Sequence, residues 1–125
     1  MAITFTINGP PIPLDRARHG NGRTYDTARN KATKIAIGWA FHAVARGHKP
    51  IVGPVRLRVA CMFDWPVSYT KKRRQACYGN MKDTKPDIDN LCKMVMDGLN
   101  GIAWIDDAQV CELHATKFFS QQETC

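Results

Sequence analysis

Apolar positions along this chain change period several times, and each change marks an element. Residues 3–8 alternate, with Ile3, Phe5 and Ile7 on one side and Thr4, Thr6 and Asn8 on the other, which predicts a half-buried strand. Gly9-Pro10-Pro11-Ile12-Pro13 ends it, because proline has no N–H to give a ladder. A basic loop with Arg16, Arg18, His19 and Arg23 follows. At Asp26-Thr27, either of which can cap the free N–H groups of a first helical turn, the period becomes helical. Ala32, Ile35, Ala36, Trp39, Ala40, Ala43 and Val44 then share one face, up to a stop at Gly47 and Pro50. Ile37 and Phe41 lie off that face. They either widen the core contact, the commoner arrangement, or form a second apolar strip for a partner subunit.

Val52 to Phe63 returns to alternation, with Val55, Leu57, Val59 and Cys61 set against Arg56, Arg58 and Ala60. Residues 64–86 are a long basic connection with room for a short helix through Lys71-Lys72-Arg73-Arg74, capped by Ser68 or Thr70. A second clear helix covers roughly 89–100, with Ile88, Leu91, Cys92, Val95 and Leu99 as its buried stripe and Gly101 closing it. Ile102 to Ile105 and Ala108 to Phe119 read as strands separated by Asp106-Asp107. The order predicts an α+β fold: a two-layer single domain over residues 1–125, with a small mixed β-sheet and two main helices on one face. The basic connection at about 64–86 is an insertion in it. Strand order does not follow from the pattern.

Composition narrows the partners. A chain of 125 residues, 44% of them hydrophobic, has material for one modest core. Eighteen Lys and Arg against eleven Asp and Glu leave a net charge of +7, which favours a polyanion through phosphate neutralisation. Cys61, Cys77, Cys92, Cys111 and Cys125 are odd in number and lack CxxC spacing, so reduced thiols are expected rather than a disulfide framework or zinc site. No signal-peptide pattern opens the chain, and no apolar run approaches the roughly 20 residues of a bilayer span. A cytoplasmic protein without membrane partners is the expectation. His19, His42, His48 and His114 lack metal spacing, and Met94 and Met96 read as packing.

The chemistry concentrates in Lys85-Pro86-Asp87-Ile88-Asp89-Asn90-Leu91-Cys92-Lys93. Pro86 biases Lys85 away from the α region, so the chain enters extended. Extended residues two apart project to one side, whereas in a helix Asp87 and Asp89 would sit about 200° apart. A strand-to-helix junction is therefore the geometry in which both carboxylates can share a hard cation such as Mg²⁺. Once the helix starts, Lys93 lies one turn from Asp89 on the same face, and Asp97 one turn further. Plain structural roles exist for all of them: Asp87 as N-cap, Asp89 as a first-turn acid, Lys93 as half of a surface pair. Asp106-Asp107 offers a further carboxylate. Strand parity with Cys111, Leu113 and Ala115 favours Asp107, with Asp106 as the rival if a bulge intervenes.

The run from Lys85 to Lys93, then Asp97-Gly-Leu-Asn100 and Trp104-Ile-Asp-Asp-Ala-Gln-Val110, resembles the signature of the RusA family of crossover-junction endonucleases in residue type and spacing. Gly22-Arg23-Thr24 also resembles that family. The likeness covers roughly residues 3–118. It implies a homodimer that cuts four-way (Holliday) DNA junctions by paired symmetric nicks with Mg²⁺ or Mn²⁺, in recombination and repair. The family's metal-binding aspartates fall on Asp87, Asp89 and Asp107, and its active-site lysine on Lys93. Two departures are the longer basic connection and an early C-terminus, which shortens or removes a final strand.

DNA contacts are expected from Lys71, Lys72, Arg73, Arg74 and Lys85, with Arg16, Arg18 and Arg23 as a second patch. Trp65, Tyr69 and Tyr78, interleaved with the basic run, are candidates for stacking on unpaired bases. A non-catalytic DNA-binding protein, and a nuclease for flaps or forks, are the alternatives.

Overall fold

The computed structural model describes residues 2–15, 18–20, 22–77 and 80–120. In chain order these form a hairpin of β1 (Arg18–Gly20) and β2 (Arg23–Tyr25), then helix α1 (Ala28–Val44) and strand β3 (Val55–Phe63). Short helix α2 (Lys71–Ala76), helix α3 (Ile88–Leu99) and strand β4 (Val110–Phe119) complete it. β3 and β4 pair in parallel, joined by the α3 crossover, and Met81 adds an antiparallel bridge to Phe118. Two main helices and a small sheet give the expected α+β domain. Among the described residues, no helix is long and apolar enough to cross a membrane.

Local chemistry sets the helix starts. Thr27 caps α1 by accepting from the Asn30 N–H, and Thr70 caps α2 by accepting from the Arg73 N–H. α3 is amphipathic and buries Leu91, Cys92, Met94 and Leu99 against the sheet and α1. The core gathers Ile37, Phe41, Val55, Met94, Leu99, Ala103 and Trp104, and continues through Val59, Cys61 and Leu91 along the sheet.

The face that α1 turns inward is the reverse of the expected one. Ile37, Gly38 and Phe41 are buried, whereas Ile35, Trp39 and Val44 are exposed, Trp39 by 72%. The reason is the crossing with α3. A Cβ on Gly98 would lie 2.9 Å from the Ile37 side chain, and one on Gly38 would lie 3.1 Å from Ile102. Two glycines let the helices approach at that point, so position, not apolar area, decides which stripe is buried. Asn30, fully buried on the same face, is satisfied: it accepts from the Asp15 N–H and donates to the Asp15 carbonyl and the Asp26 carboxylate. Lys34 lies between Asp26 (2.6 Å) and Asp97 (3.7 Å), linking α1 to α3.

Two expected strands are absent. Residues 2–15 contain none, although Ile3, Phe5, Ile12 and Leu14 pack on the core and Phe5 meets Phe41 edge to face at 5.6 Å. The alternation there records one-sided burial without a ladder partner. Residues 102–105 form a turn in which Trp104 makes single bridges to Ile51 and Asn100.

Candidate active site

Asp87 stands at the junction the sequence demanded. Its backbone is extended (φ −72°, ψ 142°), and α3 begins at the next residue, after a cis Lys85–Pro86 peptide. Its carboxylate caps no backbone N–H of the helix. Instead it accepts from the Lys85 ammonium through both oxygens, at 2.9 and 3.0 Å. That hydrogen bond and charge hold the Asp87 carboxyl below its ordinary range. Asp89 lies exposed in the first turn, and among the described residues its Oδ1 accepts only from the adjacent Asn90 N–H (2.9 Å). Lys93 is exposed on the same face and, among the described residues, makes no ion pair with Asp89 or any other acid. The plain surface-pair reading of Lys93 therefore fails.

Lys117, which sequence reasoning did not single out, organises this end. From β4 its ammonium donates to the carbonyls of Thr84 (2.6 Å) and Pro86 (2.7 Å), pinning the segment that delivers Asp87. The available signal was a lysine inside the otherwise half-apolar run Ala115-Thr116-Lys117-Phe118-Phe119.

Asp106 and Asp107 differ in role, though not for the reason parity suggested. Residues Asp107–Gln109 form a 3-10 turn rather than strand, so alternation does not apply to them. Asp106 is the cap of that turn, its side chain accepting from the Ala108 N–H (3.1 Å). Asp107 is half-buried, and its Oδ1 accepts from the indole N–H of Trp104 (2.8 Å), itself only 2% exposed. Gln109, a second residue that sequence reasoning missed, holds the whole turn. Its Oε1 accepts from the Ile105 and Asp106 N–H groups, and its Nε2 donates to the carbonyls of Ile51 and Gly53.

The structure thus keeps Asp87 and Asp89 at the start of α3, with Lys93 midway along it, and puts Asp107 in a turn that follows the helix. Among the described residues, no group of three His, Cys, Asp or Glu side chains is placed to hold a metal. The donors at the Asp87 end are of the kind a hard cation takes: oxygen ligands from two exposed carboxylates two residues apart.

The basic surface is also sorted by the structure. Trp65 stacks on Phe119 (4.1 Å, 16°) and donates to the Ser120 carbonyl (2.9 Å), and Tyr69 packs on both rings. These aromatics anchor α2 to the sheet, so the expectation that they stack on bases is corrected; Tyr78 lies outside the described residues. Arg73 and Arg74 lie over Tyr69 (3.8 Å) and Trp65 (5.6 Å), respectively. Lys71 and Lys72 remain exposed with no ion pair among the described residues. Arg16 lies outside the described residues. Arg18 and Arg23 sit on opposite strands of the β1–β2 hairpin, where only the backbone is described. Leu14 nearby donates to the Asn90 carbonyl (3.1 Å), bringing the segment before the hairpin onto the start of α3.

Residues 8–124 match the family described as Endodeoxyribonuclease RusA. Over 131 residues the chain is also 36% identical to an uncharacterized protein, YqaN, of Bacillus subtilis (strain 168). That match covers 96% of this chain and 89% of that protein.

Proposed function

The chain belongs to the RusA endodeoxyribonuclease family, and from that premise we propose that it resolves four-way DNA junctions as a homodimer with Mg²⁺ or Mn²⁺, in recombination and repair in the cytoplasm. The whole of residues 1–125 acts as one nuclease domain, with the 64–86 insertion as its DNA-contacting arm. The observation that carries the reading is the open carboxylate pair at the start of α3. Asp87 and Asp89 are both exposed, Asp87 makes no side-chain cap to the helix, Asp89 accepts from the adjacent Asn90 N–H, and Lys93 makes no ion pair among the described residues of a strongly basic protein.

Asp87 and Asp89 would hold the cation, with Asp107 as the third carboxylate of the family's set. When bound, the cation supplies Lewis-acid polarisation of the phosphodiester and a stronger nucleophile at neutral pH. Lys93 holds a non-bridging phosphate oxygen and offsets the charge that grows there as the bond breaks. Lys117 keeps residues 84–87 in place, so that Asp87 stays oriented without reorganisation during the reaction. Lys71 and Lys72 neutralise backbone phosphates, with Lys85, Arg16, Arg18, Arg23 and the ring-backed Arg73 and Arg74 adding positive potential.

Incubation with a four-way junction, a fork and a linear duplex at matched salt, with and without Mg²⁺, tests the reading. Paired nicks in the junction that require the metal are expected. Tight binding with no cleavage under any divalent metal would leave a DNA-binding protein, and preferential fork cleavage would reassign the substrate. Lys72→Ala should lower affinity for all DNA about equally and reduce the salt dependence by roughly one phosphate contact.

A further inference from the structure

Asn30 is a polar side chain with no exposure at all, set in the first turn of α1 on the face that packs inward. All three of its side-chain hydrogen bonds go to Asp15 and Asp26. Its Oδ1 accepts from the Asp15 N–H (2.9 Å), and its Nδ2 donates to the Asp15 carbonyl (3.0 Å) and the Asp26 carboxylate (2.9 Å). Asp15 and Asp26 bracket the segment that holds β1 and β2, so one buried amide closes that segment at its root. Thr27 and Arg29 add longer contacts to the Asp15 carboxylate, each at 3.5 Å. Lys34 holds the Asp26 carboxylate from further along α1 (2.6 Å).

The root is fixed to the candidate site as well as to α1. Leu14 donates to the Asn90 carbonyl (3.1 Å), one residue from Asp89, and Lys34 also reaches Asp97 on α3 (3.7 Å). Among the described residues, β1 and β2 pair only with each other, in a sheet separate from β3 and β4. The hairpin carries Arg18 and Arg23. A two-stranded ribbon is only marginally stable by itself, so its placement depends on its root. A fully satisfied buried polar network fixes one arrangement there, where an apolar contact would allow several.

We propose, building on the nuclease reading, that Asn30 is a positioning residue for DNA: it holds the β1–β2 arm beside the start of α3, where the arm grips backbone phosphates of the strand presented to Asp87 and Asp89. Phosphate contacts set the register of a nucleic acid without reading its sequence. An arm already ordered at its root spares the complex the cost of ordering it on binding. The clip therefore acts on DNA affinity and leaves the chemical step alone.

Asn30→Leu and the milder Asp26→Ala test the clip in the full-length protein, with a four-way junction as probe. Each should weaken metal-free junction binding about tenfold and raise KM by a similar factor, with kcat within about twofold. Asp26→Ala removes a negative charge, so simple electrostatics would tighten binding, and a loss runs against that trend. Arg18→Ala/Arg23→Ala should weaken binding to a similar extent. Adding Asp26→Ala to that pair should cost less than about a further twofold, because the root has nothing to position once the arm has lost its charge. Asp26→Ala carries the test alone if Asn30→Leu does not fold. Losses that multiply in the combined variant, unchanged or tighter binding by Asp26→Ala, or a fall in kcat with KM unchanged overturn the proposal while leaving the nuclease reading standing. A wild type that neither binds nor nicks the junction overturns both.

Discussion

The two ends of the β3–β4 sheet use the same residue type in opposite ways. Where α3 begins, Asp87 and Asp89 face solvent, and their partners are a flexible lysine and one adjacent N–H. Where β4 begins, Asp106 and Asp107 are each held by a defined donor, and Gln109 makes four bonds that lock the turn. At the first end Asp87 is oriented by a mobile lysine, whereas at the second Asp106 is built into the turn as its cap and Asp107 is pre-oriented by the buried Trp104 indole. The kind of partner, a mobile lysine at Asp87 or a buried indole at Asp107, separates the two ends where composition does not.

The sharpest break in that contrast is a matched pair of substitutions. Asp89→Asn should reduce junction nicking by about a thousandfold or more, because losing a metal ligand removes several kcal/mol of transition-state stabilisation. Folding and junction affinity should be unchanged or slightly improved, as one negative charge leaves the phosphate site. Asp106→Ala should do the reverse, leaving nicking within a few-fold and costing roughly 1 kcal/mol of stability through the lost cap. Single-turnover cleavage with urea unfolding of both variants measures the contrast, and equal kinetic losses would abolish it.

Gln109→Ala probes the built end. Four hydrogen bonds disappear, and at about 1 kcal/mol each, discounted for partial exposure, the cost is roughly 2–3 kcal/mol. Amide exchange should quicken at Ile105 and Asp106 first. Lys117→Met is the equivalent at the open end. Releasing the Thr84 and Pro86 carbonyls should cost about 1–2 kcal/mol and raise the Mg²⁺ concentration for half-maximal nicking several-fold. A maximal rate that recovers at high Mg²⁺ marks Lys117 as a positioning residue, which a purely structural role would not produce.

How much of this was legible in the sequence also divides along these two ends. The junction at Asp87 was readable because proline biases the residue before it and the helical stripe of α3 is unambiguous. The Asp106-Asp107 turn was not, since strand parity says nothing once a 3-10 turn intervenes, and the clue to it was Gln109 as the partner of the Asp106 cap. α1 shows the same limit: its two apolar stripes are equivalent in one dimension, and Gly38 and Gly98, distant in sequence, choose between them. Trp65 and Tyr69 looked available for DNA because their partner, Phe119, lies some fifty residues away.

The smallest effect concerns Asp87 itself. Lys85 is the main cause of its lowered pKa, and Lys117 adds a weaker electrostatic contribution from β4. A depressed folded-state pKa means that the ion pair's contribution is fully present above the ordinary value of 3.8 and is lost as pH falls through the lowered one. Carboxyl NMR should therefore place the Asp87 midpoint below that of an unpaired aspartate, and Lys85→Met should move it up towards 3.8. Both groups are half-exposed or more, so thermal stability at neutral pH should barely change. A large stability loss in Lys85→Met would mean that this end is built into the fold as firmly as the other, and the contrast between them would not hold.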